Sequence, residues 1–314
     1  MNRTLISIAL VTVTLGAGCG PKVYPLATTG IVAAKDDAEL VARGEYLFHG
    51  AAHCSGCHTA IEVGVGLKSG DRPAPTGGHV WKMGPLGTLY SPNITQDQKT
   101  GVGAWSDEDL ARMIKHGQRP DGTAGVFMVF APGHIADDDV RAIVSYMRTI
   151  APAANVVPKH DIGLLGGLVL GGIAPRNYDG KAVPPPVGAT VERGRYLAWG
   201  PGACRSCHSE ADGFEVKAGR EFVGADAPME SELEGDATKF LAPNLTPDPS
   251  GISGKWTEEQ FLQRFKEGRT QKGSPMPWGN YQNLQEDDVK ALWAYFKTLP
   301  PTKKDFPLTV IPKK

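Results

Sequence analysis

Two pentapeptides of one form, Cys54-Ser55-Gly56-Cys57-His58 and Cys204-Arg205-Ser206-Cys207-His208, constrain this chain more than anything else in it. In a C-x-x-C-H run the cysteines at i and i+3 share one face of a helical turn, where each can form a thioether to a haem vinyl carbon. The histidine at i+4 then stands under the iron as its proximal nitrogen ligand. Zinc is the competing reading, and it would need ligands grouped at a different spacing. Two covalently bound haem c groups (iron) are therefore the expected cofactors, attached through Cys54, Cys57, Cys204 and Cys207, with His58 and His208 on the metal.

The context of each run repeats as well. Arg43-Gly44-Glu45-Tyr46-Leu47 returns as Arg193-Gly194-Arg195-Tyr196-Leu197, and Ser91-Pro92-Asn93-Ile94-Thr95 as Ala242-Pro243-Asn244-Leu245-Thr246. Trp105-Ser106-Asp107-Glu108 matches Trp256-Thr257-Glu258-Glu259. Asp138-Asp139-Val140-Arg141-Ala142 matches Asp287-Asp288-Val289-Lys290-Ala291, with Tyr146 opposite Tyr295. An offset that stays at 149 to 151 residues over these blocks reads as a duplicated domain. Each copy predicts a helix, the haem turn, a long Gly/Pro loop, a middle helix (106–117 or 257–268) and a closing helix (136–150 or 285–298). Asp36 or Asp37 can cap the first helix over 38–49, and both closing helices begin at acidic residues that suit the positive helix end. Strand signals are weak. The expected fold class is all-α: two tandem domains, 38–150 and 188–302, each a few helices wrapped around a covalent haem.

The flanks have their own patterns. Arg3, the apolar stretch Leu5 to Leu15 and the small residues before Cys19 read as a signal peptide over 1–19. Cys19 itself sits as in a lipoprotein cleavage box, with ordinary cleavage nearby as the alternative. Residues 20–37 read as a tether, 151–187 as a linker and 303–314 as a tail. The apolar patch Ile162 to Ile173 within the linker holds five glycines and is too short to span a bilayer. It is either a connector packed on the domains or a docking surface for a partner or membrane. Thirty-three Lys and Arg against 34 Asp and Glu give a net charge of -1, which offers nothing to nucleic acid. Of five cysteines the two runs use four, so removal of the leader leaves no spare thiol.

The sixth iron position separates electron carriage from ligand chemistry, because a thioether there raises the potential and closes the metal. In the second copy Pro275-Met276-Pro277 places Met276 between stiffening prolines, 68 residues after His208. In the first, Gly125-Val126-Phe127-Met128-Val129-Phe130 carries Met128, 70 residues after His58 and without flanking prolines. Met83, Met113 and Met147 read as core or rim residues. His116 and His134 are the alternative ligands, while His49, His53, His79 and His160 read as surface or loop histidines.

With these residues in view the chain resembles class I cytochrome c domains, in particular the tandem cytochrome c subunits of bacterial membrane-bound alcohol and sugar-acid dehydrogenases. The resemblance covers about 38–150 and 188–300, and rests on the C-x-x-C-H runs, the Pro-Asn-Ile/Leu-Thr segments, the Trp before an acidic helix and the Met-Pro loop. It implies that the Pro92 and Pro243 carbonyls orient the two proximal histidines. It implies also that Trp105 and Trp256 pack beside haem propionates, core packing being the alternative. Gly44 and Gly194 would let first and last helices cross closely against Tyr146 and Tyr295. Its functional implication is a non-enzymatic dihaem c-type cytochrome, exported to the periplasmic side of a bacterial membrane and lipid-anchored at Cys19. It would pass single electrons between a dehydrogenase or quinol-linked donor and an oxidase or other cytochrome. The alternative is a peroxidase-like dihaem redox enzyme or a gas-binding sensor using the first haem.

Overall fold

The helices form where apolar residues recur at three- to four-residue intervals behind a capping residue. The computed structural model describes residues 21–59, 67–128, 134–176, 188–213, 215–233, 235–304 and 310–311. Cys19 and its leader, most of the tail, and Val129 to Gly133 beyond Met128 lie outside the described residues. In chain order the helices are α1 (Ala38–His49), α2 (Cys54–His58), α3 (Asp107–His116), α4 (Asp137–Met147), α5 (Leu164–Leu170) and α6 (Val191–Trp199). They continue as α7 (Cys204–Cys207), α8 (Ile252–Lys255), α9 (Glu258–Glu267), α10 (Trp278–Tyr281) and α11 (Glu286–Thr298).

The starts of these helices are chemically marked. Asp37 accepts from the Leu40 amide at the start of α1, and Thr190 accepts from the Arg193 amide at the start of α6. Ser106 with Asp109 and Thr257 with Gln260 close full capping boxes on α3 and α9, where a lost cap costs about 1 kcal/mol. Acidic first turns, Asp137 to Asp139 on α4 and Glu286 to Asp288 on α11, face the positive helix ends. Strands are limited to three small antiparallel sheets: β1 (Val80–Lys82) with β2 (Thr88–Tyr90), β3 (Ala211–Asp212) with β4 (Glu215–Val216), and β5 (Met229–Glu230) with β6 (Lys239–Phe240) and β7 (Val310–Ile311).

Two helix pairs dominate the packing, α1 on α4 and α6 on α11, with α3 laid on α4 and α9 on α11. A Cβ on Gly44 would overlap the Ala142 carbonyl and lie 2.8 Å from Tyr146 Cβ, and one on Gly194 would overlap the Ala291 carbonyl and lie 2.7 Å from Tyr295 Cβ. Both crossings therefore need glycine. One apolar cluster runs from Leu47, Phe48, Val140 and Ile143 in the first half to Leu197, Phe261, Leu292 and Phe296 in the second. Each such side chain fully buried contributes about 1.5–3 kcal/mol, so the halves share a core.

Polar contacts lock the halves reciprocally. Arg43 of α1 pairs with Asp139 of α4, and Arg193 of α6 pairs with Asp288 of α11. Each aspartate then receives a tyrosine hydroxyl from the opposite half: Tyr196 donates to Asp139 at 2.6 Å and Tyr46 to Asp288 at 2.5 Å. The same hydroxyls accept from the Ala136 and Gln285 amides, each at 3.3 Å.

One stretch differs from its sequence reading. The segment expected to be a tether is hydrogen-bonded along the first half from Tyr24 onward. Gln118 accepts from the Ala27 amide, Glu108 from Thr29 and Gly30, and Asp107 from Ala33. Its polar backbone finds there the partners that a free strand would take from water. In the linker, Asp161 bridges to Thr88, while Leu164, Leu165 and Leu168 of α5 are exposed. No helix among the described residues is long and apolar enough to cross a membrane.

Candidate functional site

Each C-x-x-C-H run is a single helical turn entered through a residue in left-handed backbone, His53 (φ 40) before α2 and Ala203 (φ 48) before α7. A non-glycine residue at positive φ costs of order 1–3 kcal/mol, and holding the same outlier at both positions marks them as functional. The turns present Cys54 with Cys57 and Cys204 with Cys207 as unpaired thiols. Burial pushes Cys54, Cys57 and Cys204 up to about 12, so they are protonated groups in apolar surroundings, not exposed thiolates.

The histidines that end the runs have equivalent partners. His58 Nδ1 lies 2.9 Å from the Pro92 carbonyl and His208 Nδ1 2.9 Å from the Pro243 carbonyl. A carbonyl accepts only from N–H, so both rings carry their proton on Nδ1 and leave Nε2 with a free lone pair. Burial lowers both histidines, which keeps that lone pair available near neutral pH. The Pro-Asn segments are held in turn by their asparagines. Asn93 Oδ1 accepts from the Thr95 amide and Nδ2 donates to the Ala153 carbonyl, while Asn244 serves Thr246 and Thr302 in the same manner. The Asn that follows each proline thus fixes the carbonyl that fixes the histidine.

The residues expected on the far side differ between halves. Met276 packs against the core, and its carbonyl accepts from the Trp278 amide at 2.7 Å. Arg269 donates to the Ser274 and Met276 carbonyls, and the Arg264 guanidinium lies 3.5 Å from the Trp278 ring centre. Met128 is half-buried at the end of a loop whose base is tied by the Gly125 amide to the Gly117 carbonyl at 2.7 Å. Next to it Phe127 stacks on Trp81 at 4.4 Å, and Trp81 on His79 at 4.5 Å. Trp105 and Trp256 both pack, half-buried, on the core.

The other histidines divide. His134 and His160 are exposed, and His116 is buried with Nδ1 3.1 Å from the Arg176 carbonyl. His49 departs from its expected surface position: it is 2% exposed, with Nε2 2.8 Å from the Tyr146 hydroxyl. Its place at the end of α1, beneath α4, buries it. Among the described residues no three of His, Cys, Asp and Glu converge on a possible metal site, so neither turn has the additional ligands that tetrahedral zinc requires. Two thiols on one turn, a histidine held with Nε2 free and an apolar surround fit haem c.

Residues 41–151 match the family model for cytochrome c. That segment belongs to the cytochrome c family. The chain is 28% identical over 291 residues to the alcohol dehydrogenase (quinone) cytochrome c subunit of Gluconobacter oxydans, covering 84% of this chain and 55% of that protein. It is 29% identical over 301 residues to the gluconate 2-dehydrogenase cytochrome c subunit of Pantoea cypripedii, covering 87% and 63%. A diheme cytochrome c-type protein of Cereibacter sphaeroides is 28% identical over 85% of this chain and 90% of its own length. The chain thus spans about three-fifths of the dehydrogenase subunits' length and nearly all of the last protein's.

The sequence reading did not find the groups that join the halves: the Arg-Asp-Tyr clusters, and Asn280, Tyr281 and Asn283 around α10. Arg43, Tyr46 and Asp139 do recur as Arg193, Tyr196 and Asp288 inside matched blocks, which is a signal for paired structural roles. Asn280 has no such counterpart.

Proposed function

We propose that this chain is a dihaem c-type cytochrome in which 38–150 and 188–302 are tandem class I cytochrome c domains and which passes electrons singly without transforming a substrate. Cys54, Cys57, Cys204 and Cys207 hold the two haems, His58 and His208 are the proximal ligands, and Met128 and Met276 close the sixth positions. The observation that carries this reading is the equivalent pair of 2.9 Å contacts from His58 to Pro92 and from His208 to Pro243, each beside two unpaired thiols. The match to a diheme cytochrome over 90% of its length supports the count of two.

Bound haem supplies reversible one-electron iron chemistry. The polypeptide's part is to keep that chemistry closed. The Pro92 and Pro243 carbonyls hold each imidazole in one tautomer and raise its basicity toward the metal. The core around Cys54, Cys204, Trp105, Trp256 and Met276 excludes water, which limits reorganisation when the charge changes. The dehydrogenase subunits among the relatives support a dehydrogenase or quinol-linked donor, with an oxidase or another cytochrome as acceptor. The leader pattern supports export to the periplasmic side of a membrane with a lipid at Cys19.

Intact mass and pyridine haemochrome spectra of the purified chain should give two haems per polypeptide, with the near-red methionine-to-iron band of the ferric form arising from both. Met276→Ala should remove that band from one haem and leave the other. Retention of both signals would overturn the ligand assignment.

A further inference from the structure

Helix α10 joins two sites that the sequence sets 150 residues apart, at Cys54 and Cys204. It follows Met276 and Pro277 directly, yet its Asn280 side chain serves the first half. Asn280 is 2% exposed, and its Nδ2 donates to the His49 carbonyl at 3.0 Å and to Ser55 Oγ at 2.9 Å. Ser55 lies inside the first C-x-x-C-H run and is fully buried. Asn283 donates to the same His49 carbonyl at 3.0 Å, while its Oδ1 accepts from the Gly70 amide at 3.0 Å.

The approach is close on both sides of the junction. A Cβ on Gly56, the third residue of the run, would lie 2.5 Å from Asn280 Oδ1, and a Cβ on Gly279 would overlap the Leu67 carbonyl. Tyr281 completes the junction. Its hydroxyl donates to the Gly202 carbonyl at 2.6 Å, just ahead of Cys204, and its ring meets His53, just ahead of Cys54, edge-on at 5.8 Å. One side chain therefore touches the approaches to both cysteine turns.

A buried amide without partners is unfavourable, and both donor contacts of Asn280 lie in the opposite half. Counting back from the aspartates shared by the closing helices, Ala131 stands where Asn280 does, so the sequence supplies this group once. We infer that α10 and Asn283 form part of the first haem-attachment site: residues of the second half orient the Cys54–His58 turn and tie it to the loop carrying Met276. This inference rests on reading both runs as haem c sites. Its consequence is that a change at the second centre's methionine loop is transmitted, through Asn280, to the first centre.

The test compares full-length Asn280→Ala, Ser55→Ala and the double variant with the unaltered protein by spectroelectrochemical titration. The two midpoints are resolved and assigned by the component that changes in Met276→Ala. Both single variants should shift the midpoint of the first centre. The double variant should shift it no further than the larger single one, because both substitutions remove the same hydrogen bond. Selective loss of the first haem in Asn280→Ala would equally support the inference. A shift confined to the second centre, or Ser55 and Asn280 shifts that simply add, would overturn it. If Asn280→Ala does not accumulate, Asn280→Asp, which keeps the shape and removes the donor, is titrated instead with the same two outcomes. An unaltered protein with fewer than two haems would contradict the dihaem reading itself, and that count precedes every variant.

Discussion

The loop carrying Met276 and the loop carrying Met128 occupy equivalent places but are built differently. The second is gripped by Arg269 at two carbonyls, packed under Arg264 through Trp278, anchored across the molecule by Asn280 at Ser55 and set edge-on to His53 through Tyr281. In the first, the described contacts gather at the base, where Gly125 bonds to Gly117 and Arg119 to Ala124, and on the aromatic side of Phe127. Similar sequence blocks thus settle the helix pairs and the carbonyl contacts of His58 and His208 alike in both halves. The distal side takes its support from whatever lies next to it: on the second loop Asn280 reaches His49 and Ser55 of the opposite half, and beyond the first loop His134 meets Trp199 edge-on at 6.2 Å.

The same contrast extends to the ion pairs, where it can be broken by mutation. Arg193 and Asp288 have 5% and 6% side-chain exposure, whereas Arg43 opposite Asp139 keeps 33%. Asp288→Ala would take a buried guanidinium's carboxylate partner away and should cost about 3–5 kcal/mol in chemical denaturation. Asp139→Ala leaves an arginine that water can reach, and should cost about 1–3 kcal/mol. Equal losses would show that burial is not what separates the two pairs.

Where α1 and α6 end, a pH effect should belong to the first half. His49 and Trp199 end equivalent helices and bond equivalent tyrosines, His49 Nε2 to Tyr146 at 2.8 Å and Trp199 Nε1 to Tyr295 at 2.7 Å. Burial, then the Arg72 charge, lowers His49 from 6.5 to about 4, with Glu45 opposing. Between those values the unfolded chain binds the additional proton, so stability is complete above about 6.5 and is lost as pH falls toward 4, by at most about 3 kcal/mol. Thermal unfolding at stepped pH should show this decline, and His49→Gln should make it shallower, while the other histidines lowered by burial keep the remainder. An unchanged slope in that variant would place the titration elsewhere.

The reciprocal tyrosines sharpen the comparison at its smallest scale. Tyr46→Phe and Tyr196→Phe each remove one hydroxyl from an aspartate that keeps its arginine, so each should cost about 1 kcal/mol by denaturation, and nearly the same amount. A large inequality would mean that the lock between the halves is held from one side.

Much of this was legible in the chain itself. The limits of α1, α3, α4, α9 and α11 follow from caps and apolar spacing to within a few residues, and the glycine crossings at Gly44 and Gly194 follow from the repeated Arg-Gly-x-Tyr-Leu block. Such features are local or duplicated, and pattern reading sees both. The packing of Tyr24 to Ala34 along the first half was not legible, because its partners Glu108, Asp107 and Gln118 lie far along the chain. Neither was the role of Asn280, a lone polar residue with no periodicity and no matched counterpart. Burial of His49 was hidden for another reason: only the crossing of α4 over the end of α1 removes it from water.

Carbon monoxide added to the reduced full-length chain tests the proposed closure of both irons most directly. Two centres that each keep a methionine predict a spectrum unchanged by the gas. Rapid binding with a stoichiometry of one or two per chain would show an open coordination position and contradict the reading of the protein as an electron carrier.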